Sequence, residues 1–150
     1  MTIESGQKIA VCGPSGSGKT SFILGLLQMI ELQEGRIILD GIDLSTIPCN
    51  VVRSRFNVVS QEPFFMPGTL RFNLDREATE GQHAPDSTLI RALEAVGLWK
   101  KVSEDCTRGT ELDQPLLISD WSMGERQLLA LARALVMKSP IMILDEAMSR

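Results

Sequence analysis

Residues 13–20 read Gly13-Pro14-Ser15-Gly16-Ser17-Gly18-Lys19-Thr20 and fit the spacing G-x-x-x-x-G-K-[ST]. So many glycines in one stretch argue for a turn rather than a helix or strand interior. The flanks say what the turn connects. Lys8-Ile9-Ala10-Val11-Cys12 reads as a short buried strand, and residues 19–30 as a helix apolar on nearly every face (Phe22, Ile23, Leu26, Leu27, Ile30). Strand, glycine-rich turn and helix together predict an α/β fold with the turn as a phosphate cradle. The glycines let backbone N–H groups approach phosphate oxygens, and the start of the helix adds the positive end of its dipole. Lys19 supplies a point charge for β- and γ-phosphates, and the Thr20 hydroxyl suits Mg²⁺. The alternative is a Gly/Ser-rich turn that holds no ligand.

The rest of the chain suits such a core. Its 150 residues make about one domain, able to bury roughly 70% of the unfolded surface. Hydrophobic residues at 43% and charged residues at 23% exclude disorder, collagen and coiled-coil arrays as the main description. A net charge of -4 argues against a sequence-independent nucleic-acid binder. Cys12, Cys49 and Cys106 form no close pair, and are expected to be reduced and mostly buried. Apolar runs such as residues 23–27 fall far short of the about twenty residues a membrane span needs, and no secretory h-region follows Met1.

Asp40-Gly41 between residues 36–39 and 42–44 predicts a β-hairpin. Residues 56–59 read as a strand, followed by a loop punctuated by Pro63, Pro67 and Gly68 and a short helix over 69–74. Residues 77–86 read as a polar loop, after which Asp86 is expected to cap a helix running to about residue 96. Residues 108–120 look irregular. Over 125–137 the pattern predicts an amphipathic helix with Leu128, Leu131, Leu135 and their neighbours inward, while Arg126 and Arg133 can reach solvent. Beyond Pro140, Ile141-Met142-Ile143-Leu144 suits a strand buried on both faces of a parallel sheet. The expected architecture is an α/β core with a mostly parallel sheet, a small antiparallel part and a helical subdomain.

Two further constellations carry chemistry. Asp145-Glu146 follows the apolar run 141–144. At the carboxyl end of a parallel strand, Asp145 suits a magnesium site, and Glu146 suits a base for an attacking water. A helix N-cap is the plainer reading of the same pair. Ser122 and Gly124 precede the amphipathic helix, and Ser122 with Glu125 three residues later is a capping-box pattern. The same helix start can also present a second phosphate-binding end to another molecule, and the two roles are compatible.

Together these segments resemble an ATP-binding cassette (ABC) nucleotide-binding domain. The likeness rests on Walker A at residues 13–20, the Q-loop Val59-Ser60-Gln61-Glu62-Pro63, the signature Trp121-Ser122-Met123-Gly124-Glu125 and Walker B at 141–146. It covers nearly the whole chain in the family's motif order, with a P-loop NTPase core and a helical signature subdomain. Residues 63–75 and 96–99 look most like the multidrug-resistance-associated C subfamily, and Glu146 like its second cassette. The resemblance implies ATP and Mg²⁺ as ligands. Gly13, Pro14, Ser15, Gly16, Ser17, Gly18, Lys19, Thr20 and Ser21 would hold the nucleotide, and Thr20, Gln61 and Asp145 the metal. Gln61 and Glu146 would act in hydrolysis, and Ser122, Gly124 and Glu125 would meet the nucleotide of a second cassette bound head to tail. It further implies transmembrane export domains as partners, no nucleic acid, and a place at the cytoplasmic face of a membrane.

This sequence departs from the family pattern in Trp121 for the usual Leu and Met148 for the usual Thr. An adenine-stacking aromatic, a full D-loop and a switch histidine have no match between Met1 and Arg150. His83 precedes the signature and reads as a solvated loop residue. The chain is therefore expected to be a partial cassette with little steady ATPase activity alone. The competing readings are a non-hydrolysing ATP-binding module and a soluble ABC ATPase without membrane domains. No N-K-x-D motif supports a GTPase.

Overall fold

The computed structural model describes residues 1–76, 83–104, 111–137 and 139–145. The chain divides into two compact units, Met1–Arg53 and Ser54–Arg150. Cys106, Glu146, Met148 and most of the polar loop expected over 77–86 lie outside the described residues.

In the first unit Asp40 and Gly41 both take positive φ, 51° and 81°. Two successive left-handed residues match the right-handed twist of the strands they join. The hairpin follows as expected, with β1 (Ile38–Leu39) antiparallel to β2 (Ile42–Asp43) and Leu39 opposite Ile42. The Asp43 carboxylate accepts from the Ser45 backbone N–H at 3.0 Å and the Ser45 hydroxyl at 2.8 Å, starting a single 3-10 turn over Leu44–Thr46.

Helix α1 (Lys19–Leu26) begins where the glycine run ends but stops before residue 30. Gln28 turns left-handed (φ 52°), and its side-chain amide donates to the Leu44 carbonyl, which fixes the reversal. Arg53, closing α2 (Cys49–Arg53), donates from Nε to the Leu27 carbonyl at 3.0 Å and from a terminal nitrogen to Gln28 at 3.1 Å. A cation thus satisfies carbonyls at the carboxyl end of α1, where the helix dipole favours it.

Three expectations fail in this unit. The apolar α1 is not enclosed: Phe22 is 40% exposed, and Ile30, just beyond the helix, 43%. Residues 8–12 form no strand, because no described residue pairs with them, and Ile9 and Val11 are exposed. Cys12 and Cys49 are free as expected but exposed, Cys12 on that unpaired segment and Cys49 at the first position of α2.

In the second unit β3 (Phe56–Val59) pairs in parallel with β4 (Ile141–Leu144), residue for residue from Phe56–Ile141 to Val59–Leu144. Helix α6 (Met123–Val136) packs on β3, on α3 (Leu70–Leu74) and on α4 (Asp86–Ala95). Leu129, Ala130, Ala132, Ala134 and Val136 are its buried residues. The alanines leave room for close approach, and the Asn57 amide donates to the Ala134 carbonyl at 2.8 Å inside the contact.

This burial corrects the expected faces of α6. Leu135 is 49% exposed, and Arg133 turns inward. The helix period places 129, 132 and 136 on one line, which leaves 135 off the core side. Nor is β4 covered on both faces, since Met142 and Leu144 are 45% and 55% exposed in a sheet that has two strands among the described residues.

Leu70, Leu74, Leu89, Leu93 and Leu129 fill the centre of the unit. At α4 the cap is Pro85, not Asp86. Asp86 instead pairs with Arg71 at 2.5 Å, and Arg71 also holds Asp113 at 2.7 Å. Helix α5 (Trp99–Glu104) follows α4 closely and buries Val102. His83 is exposed, as expected. Among the described residues no helix is long and apolar enough to cross a membrane.

Candidate functional site

The glycine-rich loop is built in the first unit. Gly16 and Gly18 stand at φ 79° and 92°, the left-handed region that L side chains rarely adopt. At Gly13 a Cβ would fall 2.5 Å from Ser17 Oγ, so a side chain there would have to turn the Ser17 hydroxyl away. Gly18 serves as the N-cap of α1, and the Phe22 N–H reaches the Gly18 carbonyl at 2.8 Å. The Lys19 ammonium bends back over the loop and donates to the carbonyls of Gly13 at 2.7 Å and Pro14 at 3.0 Å. Apart from half-buried Lys19, residues 13–21 are exposed. The result is a solvent-facing turn with a cation over it and a helix start behind it. Its left-handed glycines fit a polyanion approaching the backbone.

The second unit carries the remaining candidates. At the carboxyl edge of the parallel pair, the Asp145 N–H donates to the Val59 carbonyl at 2.9 Å, extending the ladder by one step. Asp145 and the start of the Q-loop therefore leave the same sheet edge side by side. The Gln127 side chain of α6 donates to the Gln61 carbonyl at 3.3 Å, tying the Q-loop to the signature helix. Among the described residues no group of three or more His, Cys, Asp or Glu forms a metal cluster. Thr20 and Asp145 are oxygen donors of the kind Mg²⁺ takes alongside water and phosphate.

The signature segment shows both halves of the capping box. Ser122 Oγ accepts from the Glu125 N–H at 3.3 Å, and Glu125 Oε2 accepts from the Ser122 N–H at 2.8 Å. The Ser122 hydroxyl also donates to Oε2 at 2.9 Å. The other carboxylate oxygen accepts from Lys101 Nζ at 2.8 Å. Lys101, with Ser122, brings the Glu125 carboxyl down to about 2. Lys101 also donates to the Asp120 carbonyl at 3.2 Å and lies 4.8 Å from the Trp121 ring centroid. Met123 and Gly124 lie within the first turn of α6 rather than before it.

Three positions carry interactions that no local pattern announces. Lys101 lies on a different helix from Glu125. Asn73 is fully buried and clamps the preceding loop through the Met66 N–H, the Met66 carbonyl and the Thr69 carbonyl. Arg133 stacks 4.6 Å from the Phe65 ring centroid and donates to the carbonyls of Asn73 at 2.7 Å and Phe64 at 3.1 Å. Burial, then the nearby Arg76, pulls its guanidinium down to about 10. A polar residue among apolar neighbours, as Asn73 is in Leu70-Arg71-Phe72-Asn73-Leu74, was the only available cue.

Residues 1–149 match the ABC transporter family. The chain belongs to that family. It is 40% identical over 149 residues to ABC multidrug transporter B of Aspergillus fumigatus, covering 99% of this chain and 10% of that protein. It is 45% identical over 145 residues to ATP-binding cassette sub-family C member 8 of Rattus norvegicus, covering 97% of this chain and 9% of that protein. Similarity to a sub-family C member accords with the resemblance carried by residues 63–75 and 96–99. Among solved structures, a bacterial Atm1-family ABC exporter with ATP bound matches with a TM-score of 0.77 at 25% identity, over 91% of this chain and 23% of that one. That likeness gives the fold as the α/β P-loop type of ABC domains; among the described residues each of the two sheets has two strands. The chain thus spans about a tenth of the length of these curated relatives.

Proposed function

We propose that this chain is the Mg-ATP-binding part of an ABC exporter cassette, of the second-cassette kind in the C subfamily. The observation that carries the reading is the loop at residues 13–20. Its left-handed Gly16 and Gly18 and the Lys19 ammonium make a backbone cradle for a triphosphate. Lys19 would exchange its two loop carbonyls for phosphate oxygens, and Ser21 and Thr20 would add hydroxyls at the start of α1. Thr20, Gln61 and Asp145 would hold magnesium, which when bound neutralises charge developing on the phosphates.

In this reading Glu146 orients and deprotonates the attacking water, assisted by Gln61. Ser122, Gly124 and Glu125 contact the nucleotide of a second cassette bound head to tail. The similarity to an ABC multidrug transporter and to the structure of an ABC exporter supports membrane export domains as partners and a membrane-associated site of action. A test separates binding from chemistry. In the transporter that contains this cassette, Glu146→Gln should abolish turnover while Mg-ATP stays bound. Unchanged turnover would remove Glu146 from the role of base.

A further inference from the structure

Glu125 poses an electrostatic problem at the signature. It is a carboxylate in the first turn of α6, hydrogen-bonded to the Ser122 hydroxyl at 2.9 Å, at the helix end proposed to face a triphosphate. A bare carboxylate there would repel that polyanion. The charge is not bare. Lys101, reaching across from α5, donates to Glu125 Oε1 at 2.8 Å while Oε2 stays on Ser122. The ammonium is fixed from two more sides, by the Asp120 carbonyl at 3.2 Å and by the face of Trp121 at 4.8 Å. Trp121 is itself anchored, since its carbonyl accepts from Arg126 Nε at 2.9 Å and its side chain packs against the core. Lys101 and Glu125 are each only 30% exposed at the side chain, so the pair is partly shielded from solvent screening.

We infer that Lys101 is a positioning residue for the signature. It cancels the charge of Glu125 and holds that carboxylate on the cap, so that Ser122 and the α6 N-terminus can accept the γ-phosphate of the opposite cassette. Trp121 serves as the platform that keeps the ammonium in place. The inference rests on the head-to-tail reading given above.

The test uses the chain itself, with sedimentation velocity in Mg²⁺ and adenylyl imidodiphosphate to read nucleotide-dependent self-association. Calorimetry in parallel reads each copy's own binding at residues 13–20. Lys101→Met should weaken the association about tenfold or more, because the uncompensated carboxylate faces the incoming phosphates. Lys101→Arg should preserve it. Lys101→Met combined with Glu125→Gln should regain part of the lost association, since the glutamine amide can keep the cap and the contact with the opposite nucleotide while the repelling charge is gone; a merely structural lysine would not be rescued this way. Association insensitive to Lys101→Met, or a double variant as weak as the single one, overturns the inference alone. A wild-type chain that binds the nucleotide but never self-associates overturns the head-to-tail reading and this inference with it.

Discussion

Asn73 offers a sharp test of how the second unit holds its Q-loop side together. Its side chain is completely buried, accepts from the Met66 N–H at 3.0 Å and donates to the carbonyls of Met66 at 2.9 Å and Thr69 at 3.1 Å. Asn73→Ala removes all three bonds and leaves Met66 polar groups facing a small void. At about 1 kcal/mol for each lost bond, partly offset by water entry, the cost is about 2–4 kcal/mol. For a unit of this size that lowers the melting temperature by roughly 10–20 °C. Trp99 and Trp121 both belong to this unit and pack against its core, so tryptophan fluorescence reports its melting without signal from the first unit. Asn73→Asp sharpens the test. It keeps the shape but puts a second acceptor against two carbonyl oxygens, so it should destabilise more at pH 7 than near pH 4. A melting temperature within about a degree of wild type for Asn73→Ala would refute the clamp.

Glu125 gives a pH prediction. Its folded-state value near 2 lies below the ordinary 4.5, held there first by Lys101 and then by Ser122. The sign is that of a depressed acid. Its contribution is complete above about pH 4.5 and fades as pH falls toward 2, and Glu125→Gln should flatten that limb of urea midpoint against pH. Gly18→Ala should weaken Mg-ATP binding about 5- to 30-fold, from the roughly 1–2 kcal/mol an L residue costs at a left-handed φ such as 92°. Calorimetry reads it directly, and unchanged affinity would detach the loop conformation from binding.

Much of the cassette was legible because its determinants are local. Asp40-Gly41 announces its own left-handed turn, Ser122 with Glu125 its cap, and residues 13–20 the loop. The strands 56–59 and 141–144 were legible, the second as a continuous apolar run suited to a parallel sheet, but that they pair with each other is seen only in the structure. What failed depends on partners. Residues 8–12 carry strand composition without a pairing neighbour among the described residues. The α6 face was misread at Leu135 and Arg133, because Phe65 and two carbonyls draw the arginine inward. Lys101 could not be tied to Glu125 from spacing, since tertiary packing of α5 beside the start of α6 makes that pair.

The proposed function depends above all on residues 13–20 gripping a triphosphate. Isothermal titration of the chain with Mg-ATP, beside the Lys19→Ala variant, measures it most directly. Saturable heat is expected from the wild-type chain, with a large loss of affinity when the ammonium is removed. Equal affinity in both, or no heat from folded wild-type protein, would contradict it.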